Sequence, residues 1–352
     1  MLRVRYFLCS LLGLGMFSLV EAQDNPHVAR LSSSEAQFTS TAIQSECKQI
    51  VAGFNTGQMV VMDPLKKNFS TMNAWGAHAK TVSVVIFSKD EKQIITAGID
   101  GHIKFWDVAL GMKYQTDTEA RRNDPKIAAP EIPTATRTLR TAHSGGVRAL
   151  AVSPDGKYLA SCGAEGNIKI WTSESDKPLF TYPAAHKSGA NALAFSPDGK
   201  ILASGGGDKL VKFWSIEADA TPKRTLEHES PVTSLNFKPD GKQLVTGSGT
   251  AKKSGEVRIW DTMTGEELFS LPGHTDTVTS VMFHPKEPRL VSAGKDKTMR
   301  VWNLETKQEG YREEYNQPFI WVGFSQDTRL LVGLNSRDNT WWRGTQEWPK
   351  KK

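Results

Sequence analysis

Cysteine is scarce in this chain: three in 352 residues, at Cys9, Cys47 and Cys162. That number excludes a disulfide framework. There is no Cys-x-x-Cys pair and no Cys-x-x-Cys-His haem motif, and no histidine stands at metal-ligand spacing from a cysteine. No metal or cofactor is therefore expected. Runs of like charge are missing too, apart from Lys350 to Lys352. The net charge of +6 is spread as single lysines and arginines on turns and strand ends. Such scatter reads as solubility, not as a track for nucleic acid. A sustained 3.6-residue apolar period is also absent, which argues against long amphipathic helices.

The one long apolar run is at the start. Arg3 and Arg5 precede an uncharged, largely apolar stretch of 15 residues, Tyr6 to Val20, closed by Glu21 and Ala22. This is the pattern of a secretory signal peptide, with cleavage after Ala22. The run is short against the ~20 residues that span a bilayer. Leu8 before Cys9 argues against a lipoprotein site. Cleavage would remove Cys9 and leave Cys47 and Cys162, both expected as free thiols. The mature chain would carry about +5 after loss of Arg3, Arg5 and Glu21. An exported location, periplasmic or extracellular, follows from this reading.

What the sequence has in abundance is repetition. Five phrases end in tryptophan: KFW at Trp106, KIW at Trp171, KFW at Trp214, RIW at Trp260 and RVW at Trp302. His78, His143, His186 and His274 each lie 28 residues before their tryptophan, and His228 lies 32 before Trp260. Between them recur turns such as Ser153-Pro154-Asp155-Gly156 and Ser196-Pro197-Asp198-Gly199. Proline presets φ for the second turn position and glycine accepts the positive φ that closes it. Four short runs rich in β-branched and aromatic residues fill each period. Successive tryptophans from Trp171 to Trp302 are 43, 46 and 42 residues apart, the period of a four-stranded propeller blade. Stacking such sheets around an axis buries faces that one sheet alone would expose.

These units resemble WD repeats. Trp106-Asp107 and Trp260-Asp261 carry the dipeptide itself, and Trp171-Thr172, Trp214-Ser215 and Trp302-Asn303 carry variants. The resemblance implies an all-β, seven-bladed propeller over residues 23–346, followed by a short basic tail at 347–352. It also implies a buried set of histidine, hydroxyl, acid and tryptophan within each blade. Blade 2 would use His78, Thr96, Asp100 and Trp106; blade 4, His186, Ser204, Asp208 and Trp214; blade 6, His274, Ser292, Asp296 and Trp302. Blade 3 would use His143, Ser161 and Trp171 with Glu165 as the acid. Blade 5 has His228, Thr246 and Trp260, but Ser254 stands in the acid's place. A set repeated in every blade is structural bonding and not a hydrolase triad. Degenerate units flank these five. Phe38 to Ile43, Lys48 to Ala52 and Gln58 to Asp63 form blade 1, with Met62 in place of tryptophan. Phe319 to Phe324, Arg329 to Val332 and Asn339 to Trp342 form blade 7, with Tyr315 near the histidine slot. Val28 to Leu31 is placed to finish blade 7 and close the ring.

Function is expected where the copies differ, because packing accounts for the repeated part. About 22 extra residues fall within 113–136 of blade 2. They are polar and then proline-rich, an irregular arm that is either a tolerated loop or a docking element. Gly247 to Ser254 approaches a phosphate-binding loop, but Lys252 replaces a required glycine and no helix follows. It reads as a lengthened hairpin offering Lys252 and Lys253 to a partner. Trp321 stands where other inner strands carry Val84, Ala149, Ala192, Ser234 and Ser280, and Trp341, Trp342 and Trp348 follow it. Arg148 and Asn191 lie near one rim. Asn68-Phe69-Ser70 is a glycosylation sequon. The expected function is a non-enzymatic, exported, monomeric scaffold that binds a protein or peptide through a propeller face. The competing class is a small-ligand or enzymatic propeller using the central channel, and a further one is a cytoplasmic scaffold with an uncleaved start.

Overall fold

A computed structural model describes residues 17–21, 29–33, 36–45, 49–62, 74–216, 219–251, 253–325, 330–335 and 338–343. Seven antiparallel sheets follow one another around an axis, six of four strands and one of five. In blade 6 the strands, from axis to rim, are Val278–Phe283, Arg289–Gly294, Thr298–Asn303 and Gln308–Glu314. The second strand is buried on nearly every residue, while the rim strand alternates exposed and half-buried positions. That gradient is the signature of sheets stacked face to face, with only their outer edges in solvent.

Each interface between neighbouring sheets holds its own apolar core. Blades 3 and 4 share a cluster containing Ile168, Tyr182, Leu202 and Trp214. Blades 4 and 5 share Phe213, Phe237 and Trp260. The five-stranded sheet is gripped on both sides: Phe319, Val322 and Leu331 pack with Val291 and Val301 of blade 6, and Val332 and Leu334 pack with Phe38 and Ile50 of blade 1.

Blades 1 to 6 each have four strands, as the repeat implies. The remaining sheet departs from the expected four. It is built from Phe319–Phe324, Leu330–Asn335, Asp338–Arg343 and Ala29–Ser33, with a fifth strand, Phe17–Glu21, outside them. Ala29–Ser33 pairs with the third strand through Arg30↔Thr340 and Leu31↔Asn339, so the N-terminal segment does complete this sheet. The fifth strand comes from within the segment expected as a leader, paired Leu19↔Leu31. Tyr315 fills the histidine slot: its N–H donates to Lys297 O (3.0 Å), as that of His228 does to Lys209 O (2.9 Å).

Two expectations are corrected. The extra segment of blade 2 is not an irregular arm at its start but a helix, Val108–Asn123. Asp107, the acid of the Trp-Asp dipeptide, caps it by accepting from Ala109 N (2.7 Å) and Leu110 N (3.2 Å). Its inward stripe is Val108, Gly111, Tyr114, Gln115 and Thr118. The spacing is helical, but glycine, glutamine and threonine carry much of it, so no apolar period shows in the sequence. The helix also belongs functionally to blade 1, whose rim strand is only Trp75–Gly76. Tyr114 meets Trp75 edge-on at 5.8 Å, and Gln115 Nε2 donates to Val61 O (2.6 Å) at the strand edge that a longer rim strand would have covered. Trp75 itself, stacked edge-on to Trp106 at 6.4 Å, was not expected as a blade member. The expectation at Ser254 also fails, as described below. Cys162 is buried and free; Cys47, the sequon at Asn68 and the tail 347–352 lie outside the described residues.

Candidate partner-binding face

Within a sheet the inner strand runs from one face of the ring to the other. Loops from rim strand to next inner strand, and hairpins between second and third strands, therefore share one face, here called the upper face. The five histidines of the sets and the four acids that pair with them lie there.

The expected sets form. His78 Nε2 meets Thr96 Oγ1 at 2.8 Å, Trp106 Nε1 donates to the same oxygen at 2.9 Å, and His78 Nδ1 lies 3.0 Å from Asp100. In blade 4, His186 meets Ser204 at 2.7 Å and Asp208 at 2.7 Å, and Trp214 donates to Ser204 at 2.8 Å. Blade 6 repeats this with His274, Ser292, Asp296 and Trp302. Blade 3 does so with His143, Ser161, Trp171 and Glu165, whose carboxylate pairs with His143 Nδ1. A carboxylate at Nδ1 fixes the proton there, leaving Nε2 to accept from the hydroxyl, which in turn accepts from the indole. Burial lowers the pKa of His78, His143 and His186 despite their acids, which favours this neutral form. The histidines and hydroxyls are buried in every set, so a substrate has no access to them.

Blade 5 differs. Its second and third strands run on as a longer hairpin, pairing Ser248↔Glu256 and Thr250↔Lys253. Ser254 is carried out to the exposed end and does not reach the histidine. His228 Nε2 meets Thr246 at 2.8 Å and Trp260 donates to Thr246 at 2.9 Å, but His228 Nδ1 is buried with no partner among the described residues. Burial, with Arg258 nearby, pushes its pKa down to about 4.

A second repeated device escaped the sequence reading. Each inner strand bulges at its second residue, and in five of the seven that residue's side chain bonds a backbone carbonyl of the next sheet. Ser83 Oγ donates to Val147 O (2.6 Å), Asn191 Nδ2 to Val232 O (3.0 Å) and Thr279 Oγ1 to Phe319 O (2.9 Å). Thr39 and Thr233 bridge to Val82 O and Val278 O in the same way. These bonds form a belt at the upper mouth of the channel. The signal was a Ser, Thr or Asn one residue after the strand's first apolar residue. The KxW phrases hide another link: Lys104, Lys169 and Lys212 donate to Ala77 O, Ala142 O and Ala185 O at 2.5–2.6 Å, just before each histidine.

Arg148 breaks the belt. Its guanidinium does not bridge to the next sheet's carbonyl; Nη1 donates to Asn191 Oδ1 (2.7 Å) and the side chain is exposed. Arg148 and Asn191 thus come together at the mouth of a channel of about 920 Å³. Trp321 lines the same channel, half-buried, lying across Gly323, where a Cβ would overlap its ring. It packs with Ile320 and Ile43 against the core shared with blade 1, so it forms part of the channel wall. Lys253 lies on the upper face, 3.5 Å from Glu229. The placement of Lys252, and the side chains of Trp341, Trp342 and Trp348, lie outside the described residues. No group of three or more metal-ligating side chains converges among the described residues.

Radially stacked, hydrogen-bonded sheets, five of them with a His–hydroxyl–Trp link, define a repeat propeller. The profile described as "WD domain, G-beta repeat" matches residues 69–107, 134–172, 176–215, 220–261 and 265–303, which is over half of the chain. The chain belongs to the WD-repeat family. It is 34% identical over 262 residues to the U5 small nuclear ribonucleoprotein 40 kDa protein of Dictyostelium discoideum, covering 68% of this chain and 73% of that one. It is 23% identical over 249 residues to nuclear distribution protein nudF of Emericella nidulans, covering 70% of this chain and 44% of the relative. A 72-residue stretch is 42% identical to Lissencephaly-1 homolog 1 of Paramecium tetraurelia, 20% of this chain and 18% of that protein. The chain thus spans under half the length of the latter two relatives.

Proposed function

We propose that this protein is a non-enzymatic, exported scaffold that binds a protein partner through a face of the propeller. We further infer that the five-stranded sheet acts as its seventh, closing blade, with Ala29–Ser33 as its outer strand once residues 1–22 are removed. The reading rests on one observation: every repeated polar set is consumed within a blade or between neighbouring blades, and not at a shared reactive centre. The one assembly role that a compared relative's name records, membership of a small nuclear ribonucleoprotein, fits an interaction protein and not a catalyst. Channel chemistry is disfavoured because the charged lining groups are dispersed, Arg148 above and Lys89, Asp90 and Glu91 at the turn below. Export rests on Arg3, Arg5 and the apolar run to Val20. N-terminal sequencing of protein from its host tests it. A start at Gln23 is expected, and an intact Met1 would remove export from the proposal. Chemical cross-linking in the host should join the protein to a partner in stoichiometric amount. Recovery as a free monomer throughout would sink the scaffold role.

A further inference from the structure

The upper face carries nearly one sign of charge. Its rim-to-centre loops expose Lys80, Arg140 and Lys187. Its hairpins expose Lys209, Lys295 and Lys297. None of these six makes an ion pair among the described residues, and neither does Arg148; Lys253 alone has an acid, Glu229, at 3.5 Å. Besides the exposed Glu229 and the half-buried Asp276, the acids on these loops are turned inward. Asp100, Glu165, Asp208 and Asp296 are held by the histidines, and three of them also accept loop N–H groups from Ala79, Lys187 and Thr275. The blade's own bonding therefore removes the carboxylates that would neutralise the lysines. The lower face keeps some exposed aspartates that pair with lysines. There Asp117, Asp155, Asp219 and Asp240 pair with Lys113, Lys157, Lys223 and Lys238 at 2.7–3.7 Å.

Arg148 gives this cationic face a centre. Where the other polar bulge residues are consumed in the belt, Arg148 uses one N–H on Asn191 Oδ1, and Asn191 is itself fixed by Val232 O. The rest of its planar fork, suited to a carboxylate, faces the channel mouth.

We propose that the upper face docks an acidic polypeptide segment, one of whose carboxylates sits on Arg148. This deepens the scaffold reading and rests on it. Nucleic acid fits less well: among the described residues no aromatic side chain is fully exposed, so bases would find little to stack on. The cations also ring the mouth and do not line a groove. Unpaired cations around a low-dielectric opening attract an anionic chain over distances set by salt.

The test is fluorescence anisotropy of the full chain with a labelled oligoglutamate peptide, an oligolysine peptide and a single-stranded DNA of matched length. Oligoglutamate should bind, and binding should weaken at least about 10-fold between about 0.05 and 0.5 M salt. Arg148→Glu should weaken it by about 30-fold or more and Lys187→Glu by a few-fold. Arg148→Lys, which keeps the charge but loses the fork, should weaken it less than Arg148→Glu, and Lys238→Glu on the lower face should change nothing. Thermal melts of each variant would separate misfolding from lost charge, and Lys187→Glu, in a loop, serves if Arg148→Glu melts early. No binding of oligoglutamate, tighter binding of DNA, or equal loss from Lys238→Glu would overturn the inference. A host partner cross-linked only to the lower face would also overturn it, yet leave the scaffold role standing.

Discussion

Blades 5 and 6 are copies of one unit that differ at one buried hydrogen bond. In blade 6 the imidazole is held at both ends, by Ser292 at 2.7 Å and by Asp296 at 2.9 Å. In blade 5 it is held only by Thr246, and His228 sits nearer its tryptophan, with ring centroids 5.0 Å apart against 6.5 Å for His274 and Trp302. The hydroxyl–indole link survives in both. The acid is therefore the dispensable member, which fixes the tautomer, and the hydroxyl is the member the core depends on. A small residue decides the difference. Blade 6 has Gly294 two residues after Ser292, and a Cβ there would lie 2.7 Å from Asp296 and 2.8 Å from His274. Gly98, Gly163 and Gly206 hold the same space open in blades 2, 3 and 4. Blade 5 has Ser248 at that step, fully buried, with its hydroxyl toward Glu256 at 3.3 Å. The room for a histidine–acid pair is taken.

Putting the blade 5 residue into blade 6 should therefore do the most damage. Gly294→Ser would crowd the His274–Asp296 pair and strand a buried carboxylate, at a cost of about 4 kcal/mol. Urea unfolding would show this as a lower midpoint. A change under about 1 kcal/mol would mean that the glycine is not what makes room for the acid.

Acid pH should act on the blade that lacks an acid. His228 is held neutral in the fold, with its pKa lowered to about 4, while in the unfolded chain it titrates near 6.5. Between these values the unfolded state binds the extra proton. The stability from neutral His228 is thus fully present above about pH 6.5 and is lost as pH falls towards 4, about 3 kcal/mol in all. NMR titration of the imidazole should place His228 well below an exposed histidine. A midpoint near 6.5 would contradict its isolation. His78, His143 and His186 add to the same trend, since their pKa values are lowered too.

The contrast between the two blades was partly legible in the sequence. The 28- and 32-residue spacings marked blade 5 as the odd copy, because a strict period makes a departure visible. The position of Ser254 was not legible: counting back from Trp260 assumes a hairpin of standard length, and here the strands extend past that point. The propeller itself was readable because turns, β-branched runs and tryptophans recur in phase. The helix Val108–Asn123 was hidden because its buried face is built largely from Gly111, Gln115 and Thr118. The belt was hidden because a bulge inserts one residue without disturbing the composition around it. The sign of the upper face was hidden by counting charges along the chain, since Asp100, Asp208 and Asp296 cancel lysines in a sum but not in space.

The smallest effect should come from the arginine that accompanies His228. Where blades 2 to 4 use a lysine to hold a loop carbonyl, blades 5 and 6 carry Arg258 and Arg300. Arg258 pairs with Glu256 at 3.0 Å and Glu267 at 3.2 Å near the rim, where ion pairs contribute little. Arg258→Met should therefore lower stability by no more than about 1 kcal/mol at neutral pH. Its charge nevertheless helps to hold His228 neutral, after burial. The same variant should raise the His228 titration midpoint and flatten the fall in stability below pH 6.5. An unchanged midpoint would leave burial as the sole cause, and the two blades would then differ electrostatically only through the missing acid.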